Sequence, residues 1–235
     1  MLHASSARLS MMFRPAPTLR LRQRLLFLWA GAMFVAGDVV FWLMFAAVLS
    51  SGGLATLDGA VHSVIVDSRN PVATALLATV SGATSPVATS IIGGLVAVVW
   101  AVRKREVWRP AVLMGAMVLS MVLATVIKFE VFRSRPPSSD FLLGPDDALS
   151  FPSGHTLGAG VFALVITYLL VSRSGTRTTA ALAYCGAALL TLLVAYSRLY
   201  LGYHWLTDVV ASLGLALGVA GLAVFVDAAR HGRAA

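Results

Sequence analysis

A chain of 235 residues that is 58% hydrophobic, 12% charged and of net charge +8 is not an ordinary soluble domain, which carries about 25% charged residues. Mean hydropathy is +0.85, so lipid is the expected solvent. The basic residues gather at the ends of apolar runs, which argues against a nucleic-acid partner and for membrane topology.

A spanning helix needs about 20 mainly apolar residues. In chain order the runs are 25–50, 87–102, 110–132, 156–172, 178–197 and 205–226. The first follows a basic segment and is longer than the roughly 7–15 residues of a signal-peptide core, so it reads as an uncleaved signal anchor. Between the first two runs, residues 55–86 carry prolines and polar interruptions and predict a short interfacial helical segment. Cys185 lies in the apolar stretch "LAYCGAALL". A lone cysteine cannot form an internal disulfide, and it reads as a small buried hydrophobe.

The fold expected is therefore all-α, an integral membrane bundle of six transmembrane helices. Residues 1–24 form a basic cytoplasmic segment, 25–228 the membrane domain and 229–235 a cytoplasmic tail. Six spans put four basic groups on one side: Arg8 to Arg24, Arg103 to Arg109, Arg173 with Arg177, and Arg230 with Arg233. By the positive-inside rule that side is cytoplasmic, as are both termini.

Some cations break the rule. Lys128, Arg133, Arg135 and Arg198 fall at the opposite face, with His155 and His204. In "KFEVFRSRP", Lys128 and Arg135 are seven apart, so continued helix would point them the same way. Pro136 and Pro137 then disfavour helix at or just after Arg135. In "FPSGH", Ser153 suits an N-cap, Gly154 allows close approach of a ligand, and a helix N-terminus attracts an anion. His155 sits in that first turn. In "SRLYLGYHWLTD", Arg198 closes the fifth span, while His204 and Asp208, at i and i+4, share a helix face. Asp208 can hold one ring nitrogen and leave the other as a nucleophile. Cations to neutralise phosphate oxygens, an in-line nucleophile and an acid for the leaving oxygen make up the inventory for phosphoryl transfer. No metal or other cofactor is called for.

Lys128-x6-Arg135-Pro136, Pro152-Ser153-Gly154-His155 and Ser197-Arg198-x5-His204-x3-Asp208 together resemble the three-part signature of the type 2 phosphatidic acid phosphatase (PAP2) family. That family also includes vanadium haloperoxidases and glucose-6-phosphatases. The resemblance implies that His204 forms a phosphohistidine, Asp208 orients it and His155 protonates the leaving group. Lys128, Arg135, Ser153, Gly154 and Arg198 would bind phosphate. The reading is a lipid phosphate or diphosphate phosphatase of a bacterial inner membrane, its site facing the periplasm. Undecaprenyl diphosphate is the first substrate expected, with phosphatidic acid and phosphatidylglycerol phosphate next. A lipid phosphotransferase would keep the chemistry and change the acceptor. A non-enzymatic anion transporter would place its site near the midplane, whereas these motifs sit at span ends.

Other polar residues are set aside. Asp38, inside the first span, is expected to be structurally paired or protonated. Glu130 is expected to pair with Arg133 at i, i+3. Asp146 and Asp147 read as a solvated turn, His62 as an isolated interfacial residue, and His3 and His231 as parts of flexible tails. Tyr200, Tyr203 and Trp205 read as an interfacial belt.

Overall fold

The computed structural model describes residues 17–231. The expectations for His3, Arg8, Arg14 and Arg233 lie outside the described residues, and the side chain of His231 is likewise not described. Among the described residues all regular structure is helical. The elements are α1 (Pro17–Ser50), α2 (Asp58–Asp67), α3 (Pro71–Ala83), α4 (Pro86–Lys104), α5 (Trp108–Val131), α6 (Gly154–Ser174), α7 (Arg177–Tyr200) and α8 (Leu206–His231). Short 3-10 turns cover Gly53–Leu57 and Ser138–Asp140.

Six of these helices are long and apolar enough to cross a membrane: α1, α4, α5, α6, α7 and α8. Residues 55–86 are more structured than a single interfacial helix, because Asn70-Pro71 divides them. The residue before proline avoids helical backbone, and Asn70 is extended at φ −145° while its side chain caps Ala73 N. At 13 residues, α3 is about 20 Å long, too short for a hydrocarbon core of about 30 Å. It therefore adds no span. Similar caps start other helices: Ser85 before Pro86, Ser153 and Thr176. Each satisfies a backbone N–H that the first helical turn leaves orphaned.

The most buried spans are α6 and α8. α1 runs antiparallel along α8 at a distance only glycine permits. A Cβ on Gly37 would stand 2.4 Å from Gly214 O and 2.5 Å from Gly218 N. Lipid tails give no hydrophobic drive for helix association, so close backbone packing of this kind takes its place. The remaining spans turn large apolar side chains outward, among them Trp29, Trp42, Leu95, Met121 and Leu182. Cys185 is exposed on α7; an apolar run in a membrane helix has a lipid face as well as a core face, so apolar sequence did not mean burial.

Helices alternate in direction, so the ends of α5 and α7 meet the starts of α6 and α8 at one pole. α2 and α3 pack against α7 at this pole, and α2 also touches α8.

Candidate active site

The three sequence stretches meet at that pole, though not all by the expected route. α5 stops at Val131, and Phe132 turns left-handed at φ 50°. Helix therefore ends four residues before Arg135, and the seven-residue helical spacing from Lys128 is broken. Both cations still reach one site, because the segment after Phe132 folds back over the pole. Lys128 Nζ donates to Leu149 O and lies within electrostatic reach of Arg135, Asp208, Asp146 and Arg198.

Arg135 donates from Nε to Ala148 O (2.6 Å) and from Nη1 to Tyr203 O (2.7 Å). Its Nη2 pairs with Asp146 at 2.8 Å. Burial lowers its pKa, and the Asp146 carboxylate opposes that; a guanidinium nevertheless stays charged at neutral pH. Asp146 is thus no free solvated turn: its loop carries a carboxylate to the cations of the site. Arg198 donates from Nη1 to Ser81 Oγ (2.6 Å) on α3 and lies 4.5 Å from the centre of the Tyr203 ring. Its Nε is buried with no hydrogen-bond partner among the described residues. A buried unpaired donor is costly, and an anion would satisfy it.

Ser153 is fully buried and caps α6, accepting from Thr156 N and Thr156 Oγ1 at 3.5 and 3.1 Å. A hydroxyl that accepts still has its own proton to donate. A Cβ on Gly154 would meet only Pro86 Cγ, at 3.8 Å, so the space beside this backbone is open to a ligand. His155 follows in the same turn, within electrostatic reach of Arg198, His204, Arg135 and Lys128.

His204 and Asp208 are not on one helical face, because α8 begins at Leu206. They meet through the helix cap instead. Asp208 Oδ2 accepts from Trp205 N at 2.9 Å, the reach of an acid in the first turn back to the N-cap residue. The same oxygen takes Ser150 Oγ at 2.5 Å and stands 3.3 Å from His204 Nδ1. With the Nδ1 proton directed at that carboxylate, Nε2 holds the lone pair. Nε2 faces Arg135 Nη1 at 3.4 Å. Burial pushes the His204 pKa down from 6.5 to about 3, against the upward pull of Asp208. The imidazole is therefore neutral at physiological pH, with a lone pair on Nε2.

Residues 109–231 match the PAP2 superfamily. The chain belongs to this family. A curated relative, phosphatidylglycerophosphatase B of Bacillus subtilis (strain 168), is 29% identical over 182 residues, covering 76% of this chain and 87% of its own length. Among solved structures, a transmembrane PAP2-type phosphatidylglycerolphosphate phosphatase from Bacillus subtilis superposes with a TM-score of 0.70 at 21% identity, over 85% of this chain and 96% of that one. Aquifex aeolicus LpxE gives a TM-score of 0.51 at 23% identity, over 71% and 94% of the two chains. The protein is a membrane PAP2 phosphatase, and its bundle is the fold of these enzymes.

Several residues gathered at this pole have no counterpart in the motifs. Arg133 does not pair with Glu130, because Phe132 has already broken the helix. It donates instead to Asp208 Oδ1 (2.6 Å), Thr207 Oγ1 (2.7 Å) and Asp58 Oδ2 (2.6 Å). Asp58 comes from α2, and no pattern in residues 55–86 announced it. Ser150 was visible as the neighbour of "FPSGH" but carried no role. His62 is not isolated: it bonds Asp140 Oδ2 at 2.9 Å, and its ring centre is 5.4 Å from that of Trp205. Tyr203 serves the site rather than a lipid belt, as the ring beneath Arg198. Asp38 faces a groove of about 550 Å³ between α1, α5 and α8, away from these contacts.

Proposed function

We propose that this PAP2 enzyme hydrolyses lipid phosphates at the extracytoplasmic face through a phosphohistidine at His204. The observation that carries this is the pairing of His204 Nδ1 with Asp208 while Nε2 turns toward Arg135. In the first step Nε2 attacks phosphorus in line, and the bond from phosphorus to the leaving oxygen breaks. His155 gives that oxygen its proton. In the second step water attacks the phosphohistidine, His155 takes the water's proton, and phosphate leaves with His204 restored. Lys128, Arg135 and Arg198 neutralise the phosphate oxygens, while Ser153 and the Gly154 amide donate to them. These cations do electrostatic work that a metal ion does elsewhere, so activity should survive excess chelator.

Phosphatidylglycerol phosphate is our first substrate, on the strength of the named relative. Undecaprenyl diphosphate, the first expectation from the sequence, stands second, because the same cradle fits a terminal phosphoryl group of either lipid. Phosphate release from both, and from phosphatidic acid, by the purified protein tests the order. A rate on undecaprenyl diphosphate well above that on phosphatidylglycerol phosphate would reverse it. Product analysis with an added alcohol acceptor separates hydrolysis from transfer.

We place the site on the outer face of a bacterial cytoplasmic membrane. Arg103, Lys104, Arg105, Arg109, Arg173, Arg177 and Arg230 all lie toward the other pole, which supports that orientation. A cysteine at the exposed Ser138, in a Cys185→Ala background, should react with an impermeant thiol reagent from outside intact cells. Reaction only after permeabilisation would invert the topology.

A further inference from the structure

Asp208 is held from two sides, and only one of them is the histidine. Its Oδ2 serves His204, Ser150 and the α8 cap. Its Oδ1 accepts from Arg133 at 2.6 Å. Arg133 is bonded in turn to Asp58, 2.6 Å away, and the two side chains are 16% and 6% exposed. Asp58 reaches α8 itself: Oδ1 accepts from Thr207 N at 2.9 Å, and Oδ2 from Thr207 Oγ1 at 2.7 Å. The Thr207 hydroxyl donates to Asp58 and accepts from Arg133, which uses one donor and one lone pair. A fork between two carboxylates is the geometry at which guanidinium is best. Both Nη atoms of Arg133 are spent there, so they point into this frame and not at the phosphate cradle.

We infer that Arg133 and Asp58 are positioning residues, which hold the Asp208 carboxylate in the plane and charge state that directs His204 Nε2 at phosphorus. This rests on the proposed role of His204. Asp208 is fully buried, and a buried carboxylate stays ionised only where charge-assisted donors surround it. Weakening the Arg133 donor lets Asp208 rotate or take up a proton. The imidazole then loses its single tautomer. Asp58 closes the frame from the interfacial helix: it fixes the second half of the guanidinium and satisfies an orphan N–H of α8. An interfacial element that neither crosses the membrane nor touches phosphate thereby sets the aim of the nucleophile.

The test is steady-state kinetics on phosphatidylglycerol phosphate in mixed micelles, with Asp58→Asn and Arg133→Lys as conservative variants and thermal unfolding as the control for folding. Each should lower kcat about 10- to 100-fold, the cost typical of losing a supporting outer-shell partner, with KM within about twofold of wild type. In an Asp208→Asn background, Arg133→Lys should cost less than about threefold more, because both changes disable one device. Nitrogen NMR of His204 should show one Nδ1-protonated tautomer in the wild type and a mixture in Asp58→Asn. A rise in KM with kcat intact, or full additivity with Asp208→Asn, would make Arg133 a phosphate ligand and overturn the inference. Wild-type kcat in folded Asp58→Asn would overturn it too. His204→Ala is run beside them: turnover there refutes the parent reading, whereas a dead His204→Ala with unimpaired Asp58→Asn and Arg133→Lys refutes this inference alone.

Discussion

Two buried aspartates on α8 mark the two poles of the bundle. Asp208 and Asp227 are 19 residues apart, about 28 Å along the helix. They are 0% and 1% exposed respectively. Asp227 accepts from Trp108 Nε1 and Tyr168 OH, both at 2.9 Å, with Arg109 Nη2 at 3.7 Å. Arg109 also donates to Leu169 O and Ser172 Oγ. These partners of Asp227 are an indole, a phenol and a guanidinium, groups that keep their protons at neutral pH. Asp208 has an imidazole among its partners, a group able to exchange its proton, and that imidazole looks toward further cations. Two carboxylates of equal burial thus keep different company: one ties α5, α6 and α8 together, and the other meets an imidazole that faces Arg135. Burial and charge alone do not identify a site; the chemistry of the neighbours does.

The largest expected effect breaks the site pole. His204→Ala should reduce phosphate release at least about 10⁴-fold, while membrane insertion and unfolding temperature stay near wild type. Substantial release by that variant would remove the assigned nucleophile. At the other pole Asp227→Ala should do the reverse. Trp108 and Tyr168 would lose their acceptor, and Arg109 would keep only the Glu106 carboxylate, 3.9 Å away, at a cost of about 1–3 kcal/mol in stability, read by thermal unfolding in detergent. Turnover per folded molecule should stay within about twofold. If Asp227→Ala abolished turnover without melting the protein, the contrast between the poles would fail.

Acid sharpens the contrast next. The His204 pKa of about 3 in the folded protein lies below the roughly 6.5 of an exposed histidine. Between these values the unfolded chain binds a proton that the folded chain refuses, so stability falls as pH drops from about 6.5 toward 3. His204→Gln should flatten that part of the stability–pH curve. The smallest effect concerns Asp146, whose carboxylate pairs with Arg135 while 32% exposed. Partly exposed ion pairs are worth about 0–1 kcal/mol. Asp146→Asn should therefore tighten inhibition by inorganic phosphate up to about fivefold, and weaker inhibition would show that Asp146 aligns the cradle rather than competing for it.

Much of this was legible in the sequence because lipid imposes a simple rule. Every backbone polar group in hydrocarbon must be satisfied within the protein, so long apolar runs become helices. Six such runs, read with the placement of arginines, yield the bundle and bring Lys128, Arg135, His155, Arg198, His204 and Asp208 to one end. The finer geometry was not legible. His204 and Asp208 do meet, but not through i, i+4 spacing on a helix: the carboxylate closes a helix cap, and His204 precedes the helix. Arg133 was assigned to Glu130 because the left-handed turn at Phe132 left no local trace.

The sequence by itself determined the solvent of this protein, its helices and the chemical inventory at one pole, since apolar length and residue type are local properties. Only the tertiary structure decided which charge answers which. Asp58 reaches Thr207 across 149 positions, and Ser81 meets Arg198 across 117. A buried ion chooses its partner by distance and low dielectric, and those are set by how helices pack, not by their order along the chain.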